Sequence, residues 1–344
     1  MGKWQQKVVE GKSSTGKPFR VLFKPGKVNK LLINFLGGGL SWNAETAARP
    51  FSVKSMMKKQ EAFYISDVAP LQLKLVNTGL VSAKDERNPF LDWNMVNIPY
   101  VSGDFHIGNS DFEYIAAKGK PAVLHHHGQK NVEAALKAVK ELCPQSPDVI
   151  VIMGLSAGGH GCLAHAPHIH QLFPECKRFI VYSEGAHIKS PLWADVVQNV
   201  WKIKSEMAKY VTSDVLVDDL FCYAKDNMPP NTMFLQSNSA WDKALTEFMH
   251  KMNHGTLSIN TAALNEFYQS LLSSTKLLKQ EIPNYYYFLT NFGKSPKDGT
   301  TPHVFAGTPR LVFDAIQEGV SIADWLVAAV SGETEDIGTD FIST

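Results

Sequence analysis

Short apolar runs alternate with amphipathic stretches along most of this chain. Several runs rich in β-branched and aromatic residues have the length of buried strands, at residues 96–98, 149–153, 179–182, 233–235 and 285–289. Stretches between them have the spacing of helices, at residues 131–142, 162–173 and 196–210. Because strands that alternate with helices form parallel sheets covered on both faces, the pattern predicts an α/β fold.

Two further elements are predicted, one before the first of these runs and one between the last two. Near the start, residues 19–23 and 31–35 flank a Lys24-Pro25-Gly26-Lys27 turn, which predicts a hairpin entering the sheet. Later, a helical stretch around residues 243–280 follows a strand end, and predicts a cap over the carboxyl edge of the sheet, where ligands bind. No repeat or Pro/Gly-rich linker divides the sequence, so we expect residues 1–344 to form one domain.

The apolar run at residues 149–153 leads directly into the G-x-S-x-G motif Gly154-Leu155-Ser156-Ala157-Gly158. A sharp strand-to-helix turn there would lift the Ser156 hydroxyl above the sheet edge, as in the nucleophile elbow of serine hydrolases. The alternative is a turn that only packs a helix onto a strand. The strand context favours the elbow, and with it an α/β-hydrolase-like, mainly parallel central sheet in which Ser156 is the nucleophile.

A serine hydroxyl needs a base, and the base needs an orienting acid. In α/β hydrolases the acid and then the histidine follow the serine, each on a loop after a later strand. Asp242 follows the run at 233–235, and His303 follows the last run on a loop rich in Gly, Pro and Lys. The alternatives are a helix N-cap for Asp242, a surface-loop histidine for His303, and rival acids in a poorer strand context: Asp214, Asp218 and Asp219.

An oxyanion hole takes one N–H after the nucleophile and another from an early loop. Ala157 is predicted to supply the first. The early loop is Leu36-Gly37-Gly38-Gly39-Leu40, where Gly39 and Leu40 are the expected donors and Gly38 allows close approach of substrate. Trp42 and Trp241 are predicted to line the substrate pocket and to set its depth.

With these residues identified, the chain resembles the pectin acetylesterase/Notum family of carboxylesterases. The resemblance rests on four segments: Asn34–Gly39 with Trp42-Asn43; Asn88-Pro89-Phe90 through Trp93-Asn94 to the Pro99–Gly108 run; Gly154–Gly159; and Asn238–Asp242. It implies a triad of Ser156, Asp242 and His303 that hydrolyses an oxygen ester through an acyl-enzyme, without a cofactor. Family frequency favours a small acyl group on a carbohydrate.

Other functions stay open at this point. They are a carboxylesterase or lipase of broader specificity, an amidase with the same triad, and a hydrolase-fold protein that binds a ligand without turnover. The glycines at 37–39 are not followed by a phosphate-binding motif, so no nucleotide site is expected. His125-His126-His127 is interpreted as a turn before a helix, and no metal is expected, because adjacent strand residues point to opposite faces and no second ligand cluster is spaced to join them.

Composition narrows the partners further. Lys and Arg number 34 against 33 Asp and Glu, and no basic stripe favours nucleic acid. No segment has the apolar length of a membrane span, and the polar start lacks a signal-peptide core. We therefore expect a cytoplasmic protein, or a secreted one whose signal has been removed, with a small-molecule or carbohydrate ester as substrate. The oligomeric state is left open, and buried free thiols are expected at Cys143, Cys162, Cys176 and Cys222.

Overall fold

An eight-stranded sheet runs through the protein, with the strand order β1-β2-β4-β3-β7-β8-β9-β10. The computed structural model describes residues 2–52, 55, 57–116 and 119–343. The strands of the sheet are β1 (Gln5–Lys12), β2 (Pro18–Lys24), β3 (Lys30–Phe35), β4 (Asn94–Ile98), β7 (Val149–Leu155), β8 (Arg178–Glu184), β9 (Met233–Ser239) and β10 (Tyr285–Thr290). Strands β5 (Ser110–Ala116) and β6 (Lys120–His126) pair in a separate hairpin, and β11 (Ile316–Gln317) pairs with β12 (Val320–Ser321).

All pairs from β4 through β10 in the large sheet are parallel, whereas β1 and β2 add an antiparallel edge. The helices are α1 (Ala44–Ala47), α2 (Gly128–Leu142), α3 (Ala157–Leu172), α4 (Trp193–Asp195), α5 (Ser205–Ala208), α6 (Leu216–Asn227), α7 (Lys243–His254), α8 (Thr261–Glu281), α9 (Leu311–Asp314), α10 (Ile322–Ser331) and α11 (Asp340–Ser343). The prediction of a mainly parallel α/β-hydrolase-like sheet with helices is confirmed.

Alternate residues of the central strands enter different cores. Ile150 and Ile152 of β7 belong to one cluster of buried apolar side chains, whereas Val151 and Met153 belong to another. This period of two is the geometry of a strand whose faces are both covered. It explains why these strands are continuously apolar in the sequence.

The predicted hairpin at residues 19–23 and 31–35 is wrong. Both segments are strands, but β4 lies between β2 and β3 and pairs with each of them. The Lys24 ammonium donates to the carbonyl oxygens of Leu91 (2.6 Å) and Trp93 (3.2 Å), next to the start of β4. Strand β4, which lies far along the sequence, therefore pairs with β2 in the place that β3 would take in a hairpin.

The predicted helix at residues 196–210 is also wrong as one element. The chain there forms a π-turn at Val196–Val200, which follows α4 directly, and the separate helix α5. Lys202 has φ of 51°, in the left-handed region, which ends regular helix. Trp201 is fully buried and its indole N–H donates to the carbonyl of Ser41 (2.7 Å), so tertiary contacts override the helical spacing.

Two helices, α7 and α8, occupy the range predicted as a cap. Phe267 and Leu271 of α8 lie in the core, and α8 connects β9 to its parallel neighbour β10. This helix is thus a crossover that covers the sheet. Phe248 of α7 contacts Trp42 in the loop after β3, at the carboxyl edge (ring centroids 6.4 Å apart). A cap formed by α7 stays a prediction.

The expectation of no metal at His125-His126-His127 rested on the opposite directions of adjacent residues, which the structure shows, but it left out the histidines two positions apart. His125 and His127 lie two positions apart, and both contact Asp111 of the neighbouring strand β5. His126 points elsewhere and bonds the carbonyl of Ser102 (2.9 Å). The sequence argument considered adjacent histidines but not the pair two positions apart.

The cysteines Cys143, Cys162, Cys176 and Cys222 are all free. Three are buried, as expected, and Cys222 is partly exposed. None of the helices in the described ranges is both long and apolar enough to cross a membrane.

Candidate active site

Ser156 stands between the last residue of β7 and the first residue of α3, with φ of 55° and ψ of −123°. A non-glycine residue with positive φ is strained, and such strain is characteristic of a nucleophile elbow. The flanking glycines are required by close approach. A Cβ on Gly154 would lie 1.9 Å from the carbonyl oxygen of Gly158, and a Cβ on Gly158 would lie 2.0 Å from that of Phe35. The sequence thus folds into a turn that admits only glycine at these two positions.

The glycine loop after β3 lies directly against this turn. A Cβ on Gly37 would be 2.8 Å from the Ser156 Cβ and 3.2 Å from the Ala157 amide nitrogen. Because Ala157 begins α3, its amide is one of the N–H groups that a helix leaves without an internal partner. The two segments predicted to build an oxyanion hole are therefore neighbours in the structure.

The structure contradicts the prediction that Leu40 is a free donor in this loop. The Leu40 amide donates to the carbonyl oxygen of Phe63 (2.8 Å), and the Ile65 amide donates to that of Gly38 (2.8 Å). This short antiparallel pairing surrounds Gly39, whose φ is 77°. An extended segment more than twenty residues away thus takes the Leu40 N–H, which local sequence reasoning could not foresee.

Asp242 and His303 are in direct contact. The distance between the Asp242 Oδ2 and His303 Nδ1 atoms is 2.7 Å. Asp242 is buried and follows β9, whereas His303 follows β10 and its side chain is 22% exposed. The other Asp242 oxygen accepts from the amide of Leu245 (3.0 Å), so this residue also caps α7. Asp242 therefore caps α7 and contacts His303 at the same time, with Oδ1 bonded to the helix and Oδ2 to the histidine.

The charged groups around His303 raise the pKa of its imidazole. Burial lowers the pKa of His303, but the charge and hydrogen bond of Asp242 and the charge of Glu184 raise it by more, so its pKa lies above the usual 6.5. The rival acids make other contacts. Asp218 accepts from the Ser274 hydroxyl (2.6 Å), Asp219 accepts from the Ser213 amide (3.3 Å), and neither is among the partners of His303 in the described residues.

Glu184 is a site residue that the sequence analysis missed. Its buried carboxylate accepts from the amides of Phe305 and Ala306 (both 2.9 Å), two and three residues after His303. Its carbonyl oxygen accepts from the Ser156 amide (2.7 Å). Burial raises the pKa of Glu184, while the two amides and His303 oppose that shift. An acid at the end of the apolar run 179–182 was the available signal.

The residue after Glu184 brings the two halves of the site together. Gly185 has φ of 58°, and a Cβ there would lie 3.2 Å from the Cε1 atom of His303. Since Ser156 bonds the Glu184 carbonyl, Ser156 and His303 both adjoin the Glu184-Gly185 segment. The carboxyl ends of β7, β8, β9 and β10 therefore carry one continuous polar site.

A second buried residue, His106, supports the glycine loop. Its Nε2 atom lies 2.9 Å from the carbonyl oxygen of Leu36, and the His165 ring in turn bonds the His106 carbonyl (2.8 Å). Burial lowers the pKa of His106 to about 4, partly opposed by the Leu36 bond, so the ring is neutral at neutral pH. His106 and the bond it makes fix the point at which β3 passes into the glycines.

The residues predicted to contact substrate lie in packed surroundings. Trp42 is 4% exposed and forms edge-to-face contacts with Phe63 and Phe248 (ring centroids 5.4 and 6.4 Å apart). Trp241 is stacked on Tyr268 at 4.8 Å, next to Asp242. Gly38 faces Ile65 and Tyr100, whose side chains a Cβ there would approach to 2.8 and 2.9 Å. Their roles in substrate binding stay predictions.

Comparison with known proteins identifies the family and the fold of the chain. The family model described as pectinacetylesterase matches residues 21–208, more than half of the chain, including the glycine loop and Ser156. Among solved structures, the Wnt deacylase Notum from Drosophila has a similar fold, with a TM-score of 0.63 and 14% sequence identity. The similarity covers 98% of this chain and 96% of that one. The chain therefore belongs to the pectinacetylesterase family and is a carboxylic ester hydrolase of the serine hydrolase class.

Proposed function

We propose that Ser156, His303 and Asp242 are the catalytic triad of an esterase that removes small acyl groups from carbohydrate or small-molecule esters. The observation that carries this proposal is the 2.7 Å contact between Asp242 and His303, on the loops after β9 and β10. The strained Ser156 lies on the loop after β7, and all three loops leave the same edge of a parallel sheet.

The hydrogen bonds suit acyl transfer. When His303 donates its Nδ1 proton to Asp242, the neutral ring keeps Nε2 unprotonated. Nε2 then takes the Ser156 proton as Oγ attacks the ester carbonyl, and Asp242 stabilises the imidazolium. His303 next gives its proton to the departing alcohol. Water attacks the acyl-Ser156 with the same assistance and releases the acid.

The negative charge of the tetrahedral intermediate needs donors beside Ser156. The Ala157 amide, at the start of α3, is the first, and the glycine loop supplies the second. Because the Leu40 amide is bonded to Phe63, the amide of Gly38 takes its place beside that of Gly39 in this proposal. The Ala157 amide lies next to Gly37, which brings it close to that loop.

Packing and family membership support a short acyl group. Phe63 and Phe248 fill the space against Trp42, a residue predicted to set pocket depth. The matching family is described as pectinacetylesterase, and acetyl esters of a polysaccharide are the substrates that this name states. The fold neighbour Notum is named a deacylase of Wnt, so a longer acyl chain on a protein is the outcome that the test must distinguish.

The test compares p-nitrophenyl acetate, butyrate and a longer-chain ester, followed by release of acetate from acetylated oligosaccharides. We expect the highest kcat/KM with acetate and loss of nearly all turnover in Ser156→Ala. A matched control is Ser273→Ala, because the Ser273 hydroxyl donates to the carbonyl of Gln269 in its own helix. Mass spectrometry of the fluorophosphonate-treated enzyme should place the label on Ser156.

Each part of the proposal has its own contradicting result. Turnover retained in Ser156→Ala would refute the nucleophile. If Ser156→Ala loses its turnover but Asp242→Asn and His303→Gln keep theirs, the roles of Asp242 and His303 are refuted. Preference for the longer ester would keep the mechanism and refute the small acyl group, and faster cleavage of a matched amide would favour an amidase.

A further inference from the structure

Two histidines and an aspartate form a compact cluster on the β5–β6 hairpin, outside the proposed active site. His125 lies near the end of β6 and His127 directly follows this strand, and Asp111 is the direct cross-strand partner of His125. The Asp111 Oδ1 atom is 2.8 Å from His127 Nε2 and also contacts His125 Nδ1. A ligand atom from each of the three residues lies within 4.8 Å of the other two. The geometry points to a metal-binding site, and we propose that it takes a divalent cation of the Zn²⁺ class.

The fold explains why these three residues meet. Residues two apart on a strand share a face, and directly paired residues of an antiparallel hairpin lie side by side. Both imidazoles aim one ring nitrogen at the same carboxylate oxygen. Two imidazole nitrogens and one carboxylate oxygen are a common ligand set for zinc, with the fourth position left to water.

The distances require only a small adjustment. Tetrahedral zinc with ligands at about 2.0–2.2 Å holds neighbouring ligand atoms about 3.3 Å apart. The contacts of Asp111 with the two rings are shorter than this, so the carboxylate must turn away slightly to admit an ion between the three side chains. The Asp111 side chain is 54% exposed and has space on its solvent side to turn, whereas the His127 side chain is 9% exposed and enclosed by its neighbours. One movable and one fixed ligand suit binding without rearrangement of the hairpin.

The surrounding charges select the kind of ion. The charged groups that act on His127 are the Asp111 carboxylate and the ammonium groups of Lys130 and Lys12. With one carboxylate and two nearby lysines, the site lacks the oxygen ligands and negative charge that Ca²⁺ or Mg²⁺ need. Imidazole nitrogen instead favours Zn²⁺, Cu²⁺ or Ni²⁺.

The location indicates a structural consequence. His127 precedes α2, and the amide of the next residue, Gly128, donates to the buried carboxylate of Asp104 (2.7 Å). Asp104 also accepts from the amide of His106, which supports the glycine loop. A metal at the cluster would therefore fix the hairpin to the start of α2, and it takes no part in the ester cleavage proposed above.

The test measures binding directly on the intact protein after treatment with a chelator. Zn²⁺ is titrated in competition with a chromophoric chelator, and Co²⁺ is added separately to record its visible absorption. We expect one equivalent of Zn²⁺, a Co²⁺ spectrum of a four- or five-coordinate ion, and a rise in melting temperature with Zn²⁺. Asp111→Asn, His125→Gln and His127→Gln should each weaken Zn²⁺ binding about 100-fold or more, since each removes one of three ligands.

A second histidine pair provides the matched control. His250 and His254 lie one turn apart on α7, with ring centroids separated by 4.6 Å. His250→Gln should leave the Zn²⁺ affinity unchanged. The proposal is overturned if the wild type binds no stoichiometric Zn²⁺, if His250→Gln abolishes binding, or if the double variant H125Q/H127Q binds as tightly as the wild type. Esterase activity should stay at its basal value in the three site variants, which also reports that they fold.

Discussion

Replacing Glu184 with glutamine isolates the residue that holds the His303 loop. The carboxylate of Glu184 accepts from the amides of Phe305 and Ala306, one on each oxygen, and the Ser237 hydroxyl donates to it at 3.3 Å. A glutamine has the same shape but only one accepting oxygen. Its NH₂ group would face one of the two amides, donor against donor, in a fully buried position.

The size of the effect follows from that mismatch. One buried donor without a partner costs about 1–3 kcal/mol, so we expect the free energy of unfolding of Glu184→Gln to fall by about that amount. The loop can relieve the mismatch by shifting, which moves His303. A displacement of about 1 Å at a catalytic group reduces turnover about 100-fold. We therefore expect kcat to fall 10- to 100-fold, because His303 is displaced by up to about 1 Å from its position as the base.

The loss of charge gives a separate signature in the pH profile. The neutral form of His303 is the base, so kcat/KM falls as pH drops through its pKa. The Glu184 charge raises the pKa of His303, and its removal lowers that pKa. The acid limb of kcat/KM in Glu184→Gln should therefore move to lower pH. A merely structural weakening of the fold would reduce kcat without moving the limb in this direction.

The assay is steady-state hydrolysis of p-nitrophenyl acetate across the pH range, with denaturant unfolding measured in parallel. Glu133→Gln serves as the matched control, because it removes a charge that pairs with Lys204 on the surface of α2. An acid limb at the wild-type pH, together with kcat within about twofold of wild type, would refute the role assigned to Glu184. Equal shifts in both variants would assign the effect to net charge instead.

Three further results are expected. In the wild-type enzyme, kcat/KM should fall on the acidic side with a pKa above the 6.5 of free imidazole, since Asp242 and Glu184 hold the pKa of His303 high despite its burial; the profile from about pH 5 to 9 checks this, and a limb below 6.5 would contradict it. Gly37→Ala should lower kcat about 100-fold or more, because the new Cβ would lie 2.3 Å from the carbonyl oxygen of Leu155, and turnover beside a circular dichroism spectrum separates this from misfolding. Lys251→Met should lower the free energy of unfolding by about 1–2 kcal/mol with unchanged esterase activity, as it removes the buried cation that bonds Glu45 (2.9 Å), and denaturant titration measures the loss.

What could be predicted from the sequence was local in origin. The apolar runs became strands because a strand buried on both faces needs continuous apolar side chains, as β7 and β8 have. The turn at Ser156 was readable because its motif is short, and the contact that requires Gly154 is with Gly158, four residues later. Asp242 and His303 could be selected by their order after strands, and the structure places them in contact.

The errors arose where a distant segment decides the outcome. Strand β4 separates β2 from β3, and Phe63 takes the Leu40 amide; neither partner is visible in the flanking sequence. The pairing of Asp111 with His125 likewise depends on the register of a hairpin that the sequence analysis did not predict. A backbone N–H can be bonded by a segment that is distant in sequence, and a local motif does not indicate which segment that is.

The end of strand β8 connects the loops that carry Ser156 and His303. It lies between β7, which leads to Ser156, and β9, which leads to Asp242. Its last residue, Glu184, bonds the Ser156 amide through its carbonyl and the His303 loop through its side chain. Residues joined in this way act as a unit, so their mutational effects are not additive. Glu184→Gln should therefore cost far less activity in a Ser156→Ala background than in the wild type, because the His303 position no longer matters once the nucleophile is gone.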